Sequence, residues 1–317
     1  MECWSDGGVT GLFDVKSLYH YSTPVLLVLL LISCRRAESP DTPQEKIWQE
    51  ISGEKALAHV QHLVDFGPRP PDSDAIEKSR AYIENELRLA GWKVERQEFT
   101  DDTPRGKVRF VNLIAQSASG KTEPSFLLCS HYDTKIFTDA RFVGANDGGS
   151  STGLLLELAR VLGQHPRLAA KVELVFFDGE EAYESFSEKD GLYGSRHFAQ
   201  QLQGNGKKQI RGGILFDMVG DRSLNITLSP DSPAQMAHDI FASADALKLR
   251  NYFTYSGFEI TDDHKPLNAI GIPAIDIIDF DFDGWHTPRD TMDKLSAESL
   301  RIVGAVAAYY LEEFALK

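Results

Sequence analysis

Val172-Glu173-Leu174-Val175-Phe176-Phe177-Asp178-Gly179-Glu180-Glu181-Ala182 decides the fold. Five of the first six residues are apolar, the composition of a strand buried on both faces and therefore of a parallel sheet. Two adjacent carboxylates follow at once. At the end of a buried strand they repel one another and lose solvation, so they need a cation beside them. Zinc answers that need, with one glutamate binding the metal and the other moving protons next to it. The alternative is a solvated acidic pair in a surface loop.

The same alternation spreads in both directions. Downstream of 126 the pattern reads strand at 126–129, helix at 151–162, strand at 172–177, helix at 192–202, strand at 213–216, helix at 231–247 and strand at 274–278. Upstream, Leu57, Val60, Leu63 and Val64 recur at helical spacing before Phe66-Gly67-Pro68-Arg69-Pro70 forbids continuation. A second helix is expected over 73–91, then paired strands over 92–99 and 108–115, antiparallel. The last helix begins after Ser296, an N-cap residue, and should bury Leu300, Val303, Ala307, Tyr310, Leu311 and Phe314. The expected fold is α/β: one three-layer α/β/α domain over 46–317, with a mixed, mostly parallel sheet and helices on both faces.

In such sheets ligands bind beyond the carboxyl ends of the strands. There the acids and imidazoles collect: His131-Tyr132-Asp133 after the first central strand, Asn146-Asp147-Gly148 before a helix, Glu180-Glu181, Asp217, and Trp285-His286. Each alone has an ordinary explanation: Asp147 as a helix N-cap, His131 as a structural histidine, Trp285 as core. Five at one sheet edge do not. Nitrogen and carboxylate donors without thiolates suit a catalytic zinc with an open coordination position. Asp133 is placed to fix the His131 tautomer.

The 317 residues carry a formal charge of −14, which argues against nucleic acid as a partner and is compatible with a peptide bearing a free amino terminus. The three cysteines, Cys3, Cys34 and Cys129, form no CxxC pair, so neither a cysteine zinc site nor a disulfide framework is expected. Cys129 reads as a small buried side chain. The apolar run 25–32 has the length of a signal-peptide core and is too short to span a bilayer. Its end, Leu31-Ile32-Ser33-Cys34, resembles the lipobox of bacterial lipoproteins. That resemblance implies acylation of Cys34 and an exported protein, periplasmic or anchored by lipid. Residues 1–24 hold Glu2, Asp6 and Asp14 against Lys16, whereas signal peptides start basic, so translation is expected to begin later, near Val15. Residues 35–45 form a polar tether. A monomer is expected.

His131-Tyr132-Asp133, Asn146-Asp147-Gly148, Gly179-Glu180-Glu181, Asp217 and His286 match in order the ligand pattern of the zinc aminopeptidases with two co-catalytic metals. Within that group, Phe66 to Pro70, His131 to Lys135, Leu192 to His197, Asp262-Asp263-His264-Lys265-Pro266 and Trp285-His286-Thr287 make residues 45–317 most similar to the glutaminyl-peptide cyclotransferases, or glutaminyl cyclases. The resemblance implies zinc on Asp147, Glu181 and His286, with Glu180 as general acid/base. It makes Asp217 and Asp262 carboxylates of a network around the reacting centre, and Trp285 a wall of the substrate pocket. Phe186 stands where the cyclase pattern usually has Trp, and Gly148 where it usually has Ser.

The implied reaction closes an amino-terminal glutamine to pyroglutamate with release of ammonia, using one zinc. The alternative is an aminopeptidase with two zincs bridged by Asp147, His131 and Asp217 completing the second site. A third reading is a zinc-free binding domain on the same fold. An acidic Asp262-Asp263 pair beside His264 could add a metal site or serve as a hydrogen-bonded loop acid.

Overall fold

Antiparallel pairing at one end of the sheet and parallel pairing through its centre follow from how the chain returns to it. The computed structural model describes residues 46–118, 126–204 and 210–317. The chain order is α1 (Gly53–Asp65), α2 (Asp74–Leu89), β1 (Trp92–Thr103), β2 (Gly106–Ser117), β3 (Phe126–His131), α3 (Gly149–Gly163), α4 (Pro166–Ala169), β4 (Val172–Phe177), α5 (Tyr193–Gly204), β5 (Gly212–Asp217), β6 (Ile226–Leu228), α6 (Ala234–Ala246), β7 (Phe253–Tyr255), α7 (His264–Ala269), β8 (Ala274–Ile278) and α8 (Ala297–Tyr310). The β1–β2 hairpin needs only a tight turn and pairs antiparallel. The helical crossovers after β3 make β3 and β4 parallel, and likewise β3 with β5 and β5 with β8. The six strands lie in the order β1-β2-β4-β3-β5-β8.

β3, β4, β5 and β8 are buried along their whole length, as their apolar runs require. One large core, from Val60 and Leu63 through Leu154, Leu158 and Val303, packs α1, α3 and α8 on one face of the sheet. A smaller core of Val175, Phe177, Phe198, Leu215 and Leu267 packs α5 and α7 on the other. Ser52, Ser73 and Ser296 cap α1, α2 and α8 through their hydroxyls.

Three details depart from the sequence pattern. The parallel pair β6–β7 was not expected; three residues each is too short to show a period. Helix α6 begins at Ala234, because Pro233 occupies its N-cap. Phe314 is not buried but 40% exposed. After α8 the chain widens into a π-type turn over Leu311–Ala315, which keeps Leu311 inside, brings in Leu316 and turns Phe314 out. The apolar run 25–32, Cys34 and the tether lie outside the described residues.

Candidate active site

Glu180 and Glu181 are held by their backbone before their side chains do anything. Asp178, the residue after β4, is fully buried; its Oδ2 accepts from Arg80 Nη2 at 2.5 Å and from the Val111 amide at 2.8 Å. Gly179 takes a φ of +72° with Phe110 pressed against it, a place no side chain could occupy. Next, the Glu180 and Glu181 amides donate to Asp133 Oδ1 (3.1 Å) and Oδ2 (3.4 Å). On the other side, the Leu192 and Tyr193 amides at the start of α5 donate to the Glu180 and Gly179 carbonyls, both at 2.8 Å. The chemistry-bearing pair is therefore clamped from β3 and from α5. Asp133 was expected to fix His131; its Oδ1 faces His131 Nδ1 at 3.5 Å, and the same carboxylate also accepts both glutamate amides.

Asp147 is placed by its own backbone as well. Its amide donates to Asp290 Oδ2 at 3.0 Å, and that of Asn146 to Asp290 Oδ1 at 2.7 Å. The fully buried Arg69 binds the preceding turn through the carbonyls of Val143 (2.7 Å) and Gly144 (3.0 Å), and reaches the Tyr132 carbonyl at 3.2 Å. The side chain of Asp147 is not a helix cap: α3 has Gly148 at its N-cap position and no side-chain cap. It points instead between two imidazoles. Its Oδ1 lies 3.3 Å from His131 Nε2 and its Oδ2 3.5 Å from His286 Nε2.

Two groups of potential metal donors thus share Asp147: Asp147, Glu181 and His286, and His131, Asp147 and Asp217. In the first, Glu181 Oε2 stands 3.1 Å from His286 Nε2. In the second, Asp217 Oδ1 stands 3.1 Å from His131 Nε2. Donors about 2.0–2.1 Å from one tetrahedral zinc sit roughly 3.3 Å apart, so both triangles have a suitable size. They differ in satisfaction. In the first, Asp147 Oδ2 and Glu181 Oε2 are buried and accept no hydrogen bond. In the second, His131 Nε2 is hydrogen-bonded to Asp217 Oδ1. Buried carboxylate oxygens without partners are costly unless a cation faces them. Among the described residues, Asp262 and Asp263 belong to no such donor group.

The electrostatics follow from burial. Burial, reinforced by Asp262, Glu181 and Asp263 and only partly offset by His131, pushes Glu180 well above the usual carboxyl range. Burial and then Asp147 raise Glu181 against the pull of His286. Burial also raises Asp217, against His131. For Asp147, burial is outweighed by the hydrogen bond and charge of His131, with His286 and Lys135 adding to them, so its pKa falls below the ordinary value. Burial opposes a charged His131, but Asp217, Asp133 and Asp147 overcome it and raise its pKa well above normal. A metal held by His131 would require the neutral imidazole.

A small cleft opens over these groups. Glu180, Asp217 and Asp262 face it, with Phe186, Trp285 and His286 among its walls, while Glu181 is turned toward His286 and the Lys135 amide. His286 adopts a φ of +51°, a conformation uncommon outside glycine. Trp285 stacks on it at 4.3 Å, and Phe142 closes edge-on at 6.2 Å. Asp262, at the cleft's inner wall, is buried with Asp276 of β8 behind it; burial first, then the charges of Asp276 and Asp217, push it well above its usual range.

Arg69, Arg80 and Asp290 do positioning work that the sequence reading did not assign, and Asp276 sets the charge beside Asp262. Arg69 stood in a segment read as a helix stop and as a mark of the family resemblance, with no role given to its side chain. Asp276 had a visible signal, an acid inside the apolar run Ala274-Ile275-Asp276-Ile277-Ile278.

Comparison with known proteins agrees with this geometry. The profile of peptidase family M28 matches residues 112–311. A Bos taurus glutaminyl-peptide cyclotransferase-like protein is 32% identical over 276 residues, 78% of this chain and 72% of that one. The crystal structure of Porphyromonas gingivalis glutaminyl cyclase superposes with a TM-score of 0.77 at 32% identity, covering 83% of this chain and 98% of that one. A Zn-dependent exopeptidase from Parabacteroides distasonis superposes with a TM-score of 0.75 at 28% identity, covering 83% and 98%. The chain belongs to peptidase family M28 and, within it, to the enzymes of the glutaminyl-peptide cyclotransferase group.

Proposed function

We propose that this enzyme converts the amino-terminal glutamine of peptides to pyroglutamate, releasing ammonia, with one zinc ion on Asp147, Glu181 and His286. The observation that carries this reading is the pair of buried oxygens that accept no hydrogen bond, Asp147 Oδ2 and Glu181 Oε2, both facing His286 and standing beside a Glu180 whose pKa burial pushes well above the usual carboxyl range. When bound there, zinc supplies Lewis-acid polarisation of the side-chain amide carbonyl.

The chain's own residues account for the rest. The substrate's α-amine attacks the side-chain amide carbon; a C–N bond forms and the bond to the amide nitrogen breaks. Glu180 takes the proton from the amine and returns it to the departing ammonia. A raised pKa suits a carboxyl that must hold a proton and release it in one cycle. Asp217 and Asp262, facing the same cleft, hold the amine and Glu180 in register. Trp285 and Phe186 enclose the uncharged glutamine side chain and limit water, which competes with the amine. Nucleophile and electrophile share one molecule, so fixed geometry contributes part of the roughly 7–11 kcal/mol available to well-oriented intramolecular reactions.

The second donor group, His131, Asp147 and Asp217, favours one other reading, a di-zinc aminopeptidase. The hydrogen bond that already joins His131 to Asp217 speaks for the one-metal enzyme. We also propose export and lipid anchoring through Cys34, on the strength of the 25–34 sequence alone. Mass spectrometry of an amino-terminal glutaminyl peptide tests the central reading: loss of one ammonia with the peptide bonds intact supports it, and release of free glutamine contradicts it.

A further inference from the structure

The parallel strands end in acids, and they begin among bases. Their carboxyl ends open on the cleft; the amino ends of β3, β4 and β5 lie opposite, in register through Phe126 with Val172 and Phe126 with Gly212. The last turn of the chain packs against these amino ends. Tyr310 lies 6.0 Å from Phe126, Lys171 donates to the Leu316 carbonyl, and Arg211 donates to the Ala315 carbonyl at 3.0 Å. The first described residues join them: the Ile47 amide donates to Glu312 Oε2 at 3.2 Å, and the Trp48 and Tyr309 rings lie 4.8 Å apart. The segment 35–45 therefore enters the domain at the end remote from the cleft. In a chain of formal charge −14, this end gathers Lys46, Arg167, Lys171, Arg211 and Lys317, all but Lys171 exposed. Nearby Glu50, Glu312 and Glu313 are engaged, by His165 at 2.9 Å, by the Ile47 amide and by Lys317 at 2.7 Å. Phe314 stands among these cations, 40% exposed and 6.1 Å from Tyr310. Exposed aromatic side chains set among Lys and Arg are the composition of a surface that lies on anionic lipid.

We propose that this end of the domain rests on an anionic phospholipid bilayer, with Phe314 at the headgroup level and the bases over the lipid phosphates, so that the cleft faces away from the membrane. The inference rests on the lipid-anchor reading of Cys34 and gives it an orientation. Fully extended at about 3.3–3.6 Å per residue, the segment 35–45 keeps the domain within about 40 Å of the anchor. At that range the effective concentration of lipid is high, and a patch too weak to bind alone stays engaged. The π-type turn over Leu311–Ala315 then has a use: it brings out one ring where the chain meets the bilayer. Peptide substrates reach the cleft from the side away from lipid.

The test sediments the full chain carrying Cys34→Ser, which cannot be acylated, with vesicles of phosphatidylcholine alone or with about 30% phosphatidylglycerol. The apolar run 25–32 contributes alike to both, so the readout is the ratio of the two partition coefficients. Each Lys or Arg close to an anionic surface raises binding up to about fivefold at low salt. The charged vesicles are expected to bind at least about tenfold more strongly at about 0.05 M salt, and the ratio should approach one at about 0.5 M. Adding Lys46→Glu with Lys317→Glu should cut the ratio at least about fivefold, and Phe314→Ser should lower binding to both vesicles by about fivefold. Cyclisation of a soluble glutaminyl peptide should stay at wild type in these variants, since none of these residues borders the cleft. Equal binding to both vesicles at low salt, or a ratio unmoved by the charge reversals, overturns the lipid-facing surface and leaves the anchor standing. Self-association lost in Phe314→Ser, without any vesicle preference, overturns it in favour of a second copy. The mass of Cys34 in the wild-type chain taken from cells tests the anchor separately: an unmodified thiol removes the anchor, while a persisting vesicle preference keeps the surface.

Discussion

Asp133 accepts the backbone amide of Glu180 at 3.1 Å, with its other oxygen turned to the amide of Glu181. A single carboxylate on the loop after β3 thus sets where two catalytic-site carboxylates after β4 begin. Asp133→Ala removes both acceptors at once and leaves two buried amides unpaired. We expect kcat/KM and zinc affinity to fall together by roughly 10–100-fold, the usual cost of losing a partner behind a metal ligand. Steady-state kinetics alongside zinc competition with a chelator would show it; a loss of kcat alone would contradict the arrangement.

Glu180→Gln should abolish turnover, by about 10²–10⁴-fold, while bound zinc stays near wild type, because Glu180 belongs to neither donor group. His286→Ala should lose the metal. Metal analysis of both variants separates the roles, and a fully zinc-loaded His286→Ala would count against the donor set.

Arg80 and Asp178 form a buried ion pair, and Arg80 also donates to the Tyr132 hydroxyl at 2.8 Å. Replacing Arg80 by Met strands Asp178 without its cation. The expected loss is about 3–5 kcal/mol of stability in urea denaturation. Asp178 is already pushed up to about 7, by burial first and by Asp133 as well, against the opposing pull of Arg80. Without Arg80 that value rises further. The native state then holds a proton the unfolded chain gives up, and the variant should lose more stability as pH rises through neutrality.

Asp279 gives a second pH signature, of known sign. Burial, and then its hydrogen bond with Asp281, raise it to about 9. Its Oδ2 accepts the Asn225 amide, while Asn225 Nδ2 donates to Asp281, so the two acids share one bracket. The folded chain retains a proton up to about pH 9 that the unfolded chain loses in the ordinary carboxyl range. The contribution is present in full at acid pH and drains away as pH rises to about 9. Asp279→Asn cannot titrate and can still donate to Asp281. Its gain in Tm over wild type should be larger at about pH 8 than at about pH 5; equal shifts at both would contradict the shared proton.

Gly148 has a φ of +72°, and a Cβ there would lie 2.7 Å from the Asp133 carbonyl oxygen and 3.0 Å from His131 Cε1. Serine at this position must distort either α3 or the His131 loop. Gly148→Ser should cost about 1–2 kcal/mol from backbone handedness alone, more from the contact, and should lower activity along with stability. Thermal unfolding and kcat measured together check this; a neutral substitution would mean that the loop gives way freely.

Much of this was legible in the residues. The apolar runs at 172–177 and 274–278 announced strands buried on both faces, and the glutamates past the first and His286 beyond the second announced the active edge. Asp147, Glu181 and His286 come from three separated stretches, yet strand ends bring them within reach of one another. What stayed hidden depends on tertiary approach. Asp290 lies in a loop with no local pattern, and only the fold brings it beneath the Asp147 amide. Asp133 was read as a partner of the neighbouring histidine, which it faces, but its second task at the Glu180 and Glu181 amides had no signal along the chain. The outward turn of Phe314 follows from a change of helical pitch that side-chain periodicity does not encode.

One measurement bears most directly on the central claim. The purified enzyme is offered Gln-β-naphthylamide and Leu-p-nitroanilide in parallel, with zinc counted per chain on the same preparation. A single-metal cyclase built on Asp147, Glu181 and His286 should convert the first to the pyroglutamyl product with about one zinc per chain and leave the second untouched. Release of p-nitroaniline with about two zincs per chain would contradict it.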